Sequence, residues 1–258
     1  MTKQYYSNGK LLITGEYLVL DGAQSLAVPT LYGQSLSVKE TQDRLLTWKS
    51  LDDKGKPWFE SDYELEDFDP VTKNTVSEEA LAISVTLKKI LLEARKLNPS
   101  FLSTSQGYEI TTALNFPREW GLGSSSTLIN NIAQWAQIDA YVLLWNAFSG
   151  SGYDIACAQN NSPIIYQLKN SRPIVHSTSF NPTFKSDLYF VYLNQKQNSR
   201  DGIAQYRNKE FNAFSAISQI NSITQRILTC TRLSQFDKLI KKHESILSEI
   251  LGKPTVKE

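Results

Sequence analysis

Cysteine is scarce in this chain, with only Cys157 and Cys230 among 258 residues. Two cysteines build no disulfide framework, and their separation matches no metal-ligand spacing. Both stand in apolar surroundings and read as buried thiols. An excess of charge of either sign is also missing: 27 Lys and Arg face 26 Asp and Glu, a net charge of +1. That balance removes the electrostatic case for a nucleic-acid or anionic-membrane partner. No run approaches the ~18 apolar residues of a membrane span, and the opening Met-Thr-Lys-Gln-Tyr-Tyr has no signal-peptide apolar region. Internal repeats and low-complexity segments are absent. The remainder, 41% hydrophobic and 21% charged, is ordinary for a soluble globular protein, expected in the cytoplasm. The length suits one large core or two modest ones.

The most informative stretch is Phe116 to Thr127, Phe-Pro-Arg-Glu-Trp-Gly-Leu-Gly-Ser-Ser-Ser-Thr. It follows an alternating strand-like run, Tyr108 to Phe116, and leads into a helix reading Leu128 to Gln137. Two glycines one residue apart let the backbone turn tightly and approach a ligand. The first helical amides then lack partners and, with the helix dipole, form a receptor for phosphate. A well-capped helix reads the same way locally. No Lys follows the second glycine, so this is not the common P-loop. A third glycine is missing too, so it is not the dinucleotide fingerprint.

Along the chain, Lys10–Leu20 predicts two strands bent at Gly15 and Glu16 and closed by Asp21-Gly22. Leu31–Lys39 and Arg44–Ser50 read as strands, followed by a polar turn to Trp58 and Phe59. Ser61–Lys73 is acidic and reads as surface loop. Thr75–Leu97 is a helix with a Thr75/Glu78 capping box, stopped by Asn98-Pro99. A short helix over Ala140–Phe148, a helical turn over Ile155–Gln159, and strands at Ile164–Leu168 and Leu188–Leu193 follow. Helices over Phe211–Cys230 and Ser234–Leu251 complete the reading, the second with a Ser234/Asp237 capping box. His243 lies on its apolar stripe and reads as a packing or rim residue, and His176 has no evident partner. Turn residues cluster near 170–186, the best candidate boundary.

Three polar clusters could do chemistry: Lys10 behind Asn8-Gly9, the Gly121–Thr127 turn, and Asp154 beside Gly152. A carboxylate can accept a hydroxyl proton while an ammonium stabilises the alkoxide. Phosphoryl transfer asks mostly for such positioning and charge neutralisation. Taken singly, Asp154 reads equally as a helix cap and Lys10 as a strand-end snorkel.

In that order the clusters resemble the galactokinase, homoserine kinase, mevalonate kinase and phosphomevalonate kinase (GHMP) superfamily. Ser7-Asn-Gly-Lys10 through Gly15-Glu16 to Leu20 is similar to the opening Pro-Gly-Lys…Gly-Glu motif, with Asn8 in place of proline. Pro117 to Thr127 resembles the Pro-x-x-x-Gly-Leu-Gly-Ser-Ser ATP loop. Ser151-Gly-Tyr-Asp154-Ile-Ala156 resembles the Ser-Gly-x-Asp segment, and the run Gly-Tyr-Asp-Ile-Ala names a subgroup.

The resemblance implies an α+β, two-domain GHMP kinase fold. Residues 1–175 would form a ribosomal S5 domain 2-like, ATP-binding domain. Residues 176–258 would form a ferredoxin-like substrate domain, expected incomplete because the family's late Gly-rich loop is missing. ATP with Mg²⁺ would bind at Pro117, Gly121, Leu122, Gly123, Ser124, Ser125, Ser126 and Thr127, with Ser125 as the metal ligand. Asp154 would be the catalytic carboxylate and Lys10 its cationic partner. Glu16, Gly152, Lys196 and Ser199 would meet the substrate. The metal-binding glutamate of mevalonate kinases has no counterpart, Asp139 being the only carboxylate between 139 and 146. The implied activity is ATP-dependent phosphorylation of a small hydroxyl or phosphate compound of the mevalonate pathway. Mevalonate kinase and phosphomevalonate kinase are nearly tied, diphosphomevalonate decarboxylase is a third option, and a catalytically silent metabolite binder is the alternative of another class. Expected partners are a small-molecule substrate and, as one option, a second copy of the chain.

Overall fold

The computed structural model describes residues 2–71, 77–103, 106–193 and 199–255. The chain divides into two compact units, each drawn from two segments: Met1–Gly9 with Leu31–Ser149, and Lys10–Thr30 with Gly150–Glu258. The domains implied by the resemblance, 1–175 and 176–258, divide the chain differently and remain an expectation. Two paired strands, β1 (Thr2–Leu12) and β2 (Ser25–Thr41), each contribute residues to both units.

In the first unit β3 (Leu45–Leu51) and β4 (Pro57–Glu64) form an antiparallel hairpin. The Asp52 carboxylate shapes its turn by accepting from the amides of Lys54 and Lys56 at 2.9 and 2.8 Å. α1 (Glu78–Leu97) then returns the chain to β5 (Gly107–Leu114). β5 lies parallel to β3 and antiparallel to the end of β2, with Val38 opposite Ile110. A parallel pair needs such a crossover, and β4 with α1 supplies it. α1 turns Ser84, Leu87, Ile90, Leu91 and Ala94 inward, at helical steps of three and four. Its cap is Ser77, whose hydroxyl accepts from the Ala80 amide at 3.2 Å. The predicted Thr75 cap lies outside the described residues.

The stretch after Ser61 is not simply a surface loop. β4 runs to Glu64, and Tyr63 within it and Phe68 in the turn beyond are both completely buried. Arg95 of α1 sits 4.0 Å from the Phe68 ring and donates to the carbonyls of Leu65 and Glu66 at 2.6 and 2.7 Å. The acidic side chains around them masked these two aromatic anchors. α2 (Ser124–Ala136) and α3 (Ala140–Ala147) complete this unit.

In the second unit β1 ends at Leu12, and a turn carries the chain into a 3₁₀ segment, Leu18–Asp21. The predicted second strand does not form there. Gly15 has φ +90°, which no extended strand adopts, and Tyr17 follows with φ 58°. The first residues of β2 pair with β6 (Ile164–Lys169), which makes a hairpin with β7 (Arg172–Ser177). α4 (Tyr153–Ala158) precedes β6; α5 (Ser199–Arg207), α6 (Ala213–Leu228) and α7 (Leu233–Leu251) follow β7. The apolar stripes of α6 and α7 meet around Leu18 and Leu26 in a core including Ile220, Ile223, Ile227, Leu239 and Leu247. Fully burying each such side chain contributes about 1.5–3 kcal/mol.

Two further expectations need correction. Leu188–Leu193 forms no strand, because it has no ladder partner among the described residues, and β-propensity counts only against a neighbour. α7 begins after Arg232 with no side-chain cap, and Asp237 instead pairs with Lys241 at 2.6 Å. Among the described residues no helix is long and apolar enough to cross a membrane.

Candidate active site

The glycine turn belongs to the first unit. Gly121 and Gly123 have φ of 72° and 91°, and a 3₁₀ turn, Arg118–Trp120, separates Pro117 from them. Gly123 is the N-cap of α2 and provides no capping side chain. The first amides of a 13-residue helix therefore open onto a backbone turn rather than onto a carboxylate or hydroxyl cap. Ser124 is half-buried, Ser125 is exposed, and Leu122, Ser126 and Thr127 are buried. Thr127 donates to Gln34 Oε1 at 2.7 Å and reaches the Ser124 carbonyl at 2.9 Å, so its hydroxyl is committed within the protein.

A buried polar clamp holds this helix end. Asn131 Nδ2 donates to the Gln34 carbonyl at 2.9 Å, Ser7 Oγ donates to Asn131 Oδ1 at 2.7 Å, and Asn130 Nδ2 donates to Ser7 Oγ at 2.8 Å. Sequence reading missed this clamp, though its signal was present: two adjacent asparagines in an otherwise apolar helix need buried partners.

The second unit brings together Lys10, Asp154 and Glu16. Lys10, near the end of β1, places Nζ 3.8 Å from Asp154 Oδ1 and 5.5 Å from the centre of the Tyr153 ring. Asp154 stands in the first turn of α4, whose N-cap Gly152 has φ 89°. The Tyr166 hydroxyl pins that turn by donating to the Ser151 carbonyl. Asp154 Oδ1 is shielded from water and accepts no hydrogen bond from the described residues. A buried carboxylate oxygen in that condition is costly, unless a donor arrives from outside. Burial first, then the Asp154 charge, pushes the Tyr153 hydroxyl well up, so it remains protonated. Burial likewise raises the neighbouring Cys157 thiol, which is inert.

Glu16 is exposed, yet it stands amid enough protein to lose hydration, which raises its carboxyl pKa; Lys10 opposes the shift and Asp154 adds to it. Because water still reaches the side chain, this desolvation is partial. The folded chain then holds this proton to higher pH than the unfolded chain does. The stabilising effect is present at low pH and is lost as pH rises through the folded value. Glu16→Gln is therefore expected to gain melting temperature relative to the native chain as pH rises across and above the ordinary glutamate range. Parallel melting profiles across that range would remove Glu16 from this linkage.

Lys196 lies outside the described residues, and of Ser199 only its place at the start of α5 is described. Asp139 caps α3, its carboxylate accepting from Tyr141 and Val142 at 2.7 and 3.2 Å. No group of three or more His, Cys, Asp or Glu among the described residues could hold a metal ion.

No family model and no curated protein matches the chain. Solved structures do. The mevalonate kinase of Methanococcus jannaschii superposes with a TM-score of 0.66 at 14% identity, covering 97% of this chain and 80% of that one. The L. major mevalonate kinase in complex with R-mevalonate gives 0.65 at 12%, covering 97% and 76%. The Streptococcus pneumoniae phosphomevalonate kinase in complex with phosphomevalonate and AMPPNP gives 0.63 at 12%, covering 96% and 80%. At such identities the likeness concerns the path of the backbone, and on that ground the chain has the α+β fold of the GHMP kinases.

Proposed function

We propose that the chain is an ATP-dependent kinase that phosphorylates a small hydroxyl-bearing metabolite of the mevalonate pathway, mevalonate itself being the first candidate. The observation that carries this reading is the water-shielded, unpartnered Oδ1 of Asp154 with Lys10 Nζ 3.8 Å away. A substrate hydroxyl is the donor such an oxygen lacks. Asp154 takes its proton, and Lys10 steadies the negative charge that develops on the acceptor oxygen. Glu16 binds the acceptor beside them. The uncapped amides of α2, with Gly121 and Gly123 giving the backbone close approach, hold the phosphates of the nucleotide. When bound, ATP supplies the phosphoryl group. Mg²⁺ accompanying it would be held chiefly by phosphate and water, as this ion prefers, with the exposed Ser125 as the side chain that would ligate it.

ADP release, coupled to a reporter and measured over mevalonate, phosphomevalonate and diphosphomevalonate, tests the reading; carbon dioxide release would mark a decarboxylase. Absence of turnover with every acceptor would favour a silent metabolite binder. Nucleotide binding has its own test. Gly123→Ala puts a Cβ at a position of φ 91°, a strain of about 1–3 kcal/mol. It is expected to weaken a non-hydrolysable ATP analogue about tenfold or more by titration calorimetry. Unchanged affinity would move the phosphates off this turn.

A further inference from the structure

We infer that His243 is a positioning residue for Glu16, acting through the backbone amide of Gly15. His243 belongs to the apolar stripe of α7, where a leucine or phenylalanine would serve packing as well. Only 2% of it is exposed, and burying an imidazole is costly unless both ring nitrogens find partners. Both do. Nε2 accepts the Gly15 N–H at 2.9 Å, and Nδ1 lies 3.1 Å from Glu244 Oε1. The two contacts select one neutral tautomer, with the proton on Nδ1 and the lone pair of Nε2 aimed at the turn.

The turn that receives this bond is held on every side. Thr14 Oγ1 bonds Thr224 Oγ1 of α6 at 2.7 Å and accepts the Leu26 amide of β2 at 3.0 Å. Gly15 is where the turn's backbone amide bonds to α7, and Glu16 comes next. Tyr17 then takes φ 58° and ψ −48°, a region that L residues occupy only under constraint. It is steadied by stacking on Tyr206, ring centres 5.6 Å apart. Thr14, Glu16, Tyr17, His243, Glu244 and Lys253 share the wall of one cavity of about 350 Å³. Lose the acceptor on α7, and the Thr14–Gly15 peptide, one step before Glu16, is freed, while the carbonyls of Gly15 and Glu16 keep their bonds from the Val19 and Leu18 amides at 2.9 and 2.7 Å. The kinetic consequence falls on acceptor binding, not on the nucleotide or the proton transfer.

This inference rests on Glu16 binding the acceptor, so the experiment separates the two. His243→Gln carries a side-chain oxygen to the place of Nε2 and can still accept from Gly15; His243→Phe fills the volume and cannot. With the native chain active, His243→Phe is expected to raise the acceptor KM about three- to tenfold. Its kcat and its KM for ATP should stay within about twofold of native, and His243→Gln should restore most of the loss. Equal behaviour of the two variants, or a loss in kcat and in both KM values, overturns the inference. A parallel NMR arm needs no turnover. Gly15 amide protection and the Glu16 carboxyl titration should shift in His243→Phe and return in His243→Gln. If no acceptor is phosphorylated, the kinase reading fails while this arm still decides whether His243 sets Glu16; unmoved Glu16 signals in His243→Phe overturn it.

Discussion

Asp154→Asn is expected to lower turnover by about 10²–10⁴-fold, the usual cost of losing a general base. It should do so without lowering the melting temperature. The substitution is close to isosteric, and it removes the proton-accepting carboxylate while keeping a polar group in the first turn of α4. Asp154 Oδ1 accepts no hydrogen bond from the described residues, and the Lys10 ammonium stands 3.8 Å away, with the Tyr153 hydroxyl and the Glu16 carboxyl also feeling the Asp154 charge. The native carboxylate therefore contributes little to folding, and its charge is poorly solvated on one side. Neutralising it removes that penalty. Activity and stability should part company, which a merely structural aspartate would not allow. KM for ATP should stay near its native value, because the proton is taken from the acceptor. Turnover within threefold of native would remove Asp154 from the chemistry; a large fall in melting temperature would make it a structural cap, as its place in the first turn of α4 also permits.

How much of this site could be read in the sequence depended on the kind of interaction. Gly121, Gly123 and the hydroxyl run were legible because a glycine of positive φ and a helix start leave local marks. Lys10, Glu16 and Asp154 were legible only through their order along the chain; that Lys10 and Asp154 stand 3.8 Å apart is a product of tertiary folding. The same distinction explains the errors. Lys10–Leu20 looked like two strands because Ile13, Thr14, Tyr17 and Val19 favour extended backbone, yet the strand ends at Leu12 and Gly15 at φ +90° cannot extend it. Tyr63 and Phe68, both fully buried, were hidden in an acidic stretch because their partners sit on α1, far off in sequence. His243 was read correctly as packed, but nothing local says that its Nε2 meets a glycine amide 2.9 Å away. Polar contacts between distant segments leave no periodic trace, and the pivotal contacts of this site are of that kind.

Gly15→Ala should have the largest effect on stability, because two independent penalties coincide at this residue. A Cβ built there meets Ser25 Oγ at 2.0 Å and Ser25 Cβ at 2.8 Å, well inside contact distance. Ser25 is itself fully buried in the first residues of β2 and cannot swing into solvent. The backbone at Gly15 also has φ +90°, where an alanine is strained whatever the space. Overpacking costs about 1–3 kcal/mol, and holding a non-glycine residue in such a region costs about as much again. The sum, about 2–6 kcal/mol, is a large part of the 5–15 kcal/mol that holds an ordinary domain folded. A denaturant midpoint measured by circular dichroism reads it directly. The two causes can be separated with a second substitution, Ser25→Gly, which removes the atoms that the new methyl strikes and leaves the dihedral unchanged. In the double variant the steric part should return and the backbone part should persist, giving a midpoint between the native chain and Gly15→Ala once the effect of Ser25→Gly alone is subtracted. Additive losses in the two variants would mean that the turn moves away from β2 to make room. In that case Glu16, one residue on, would shift as well, and the loss would appear in acceptor KM before it appeared in the melt.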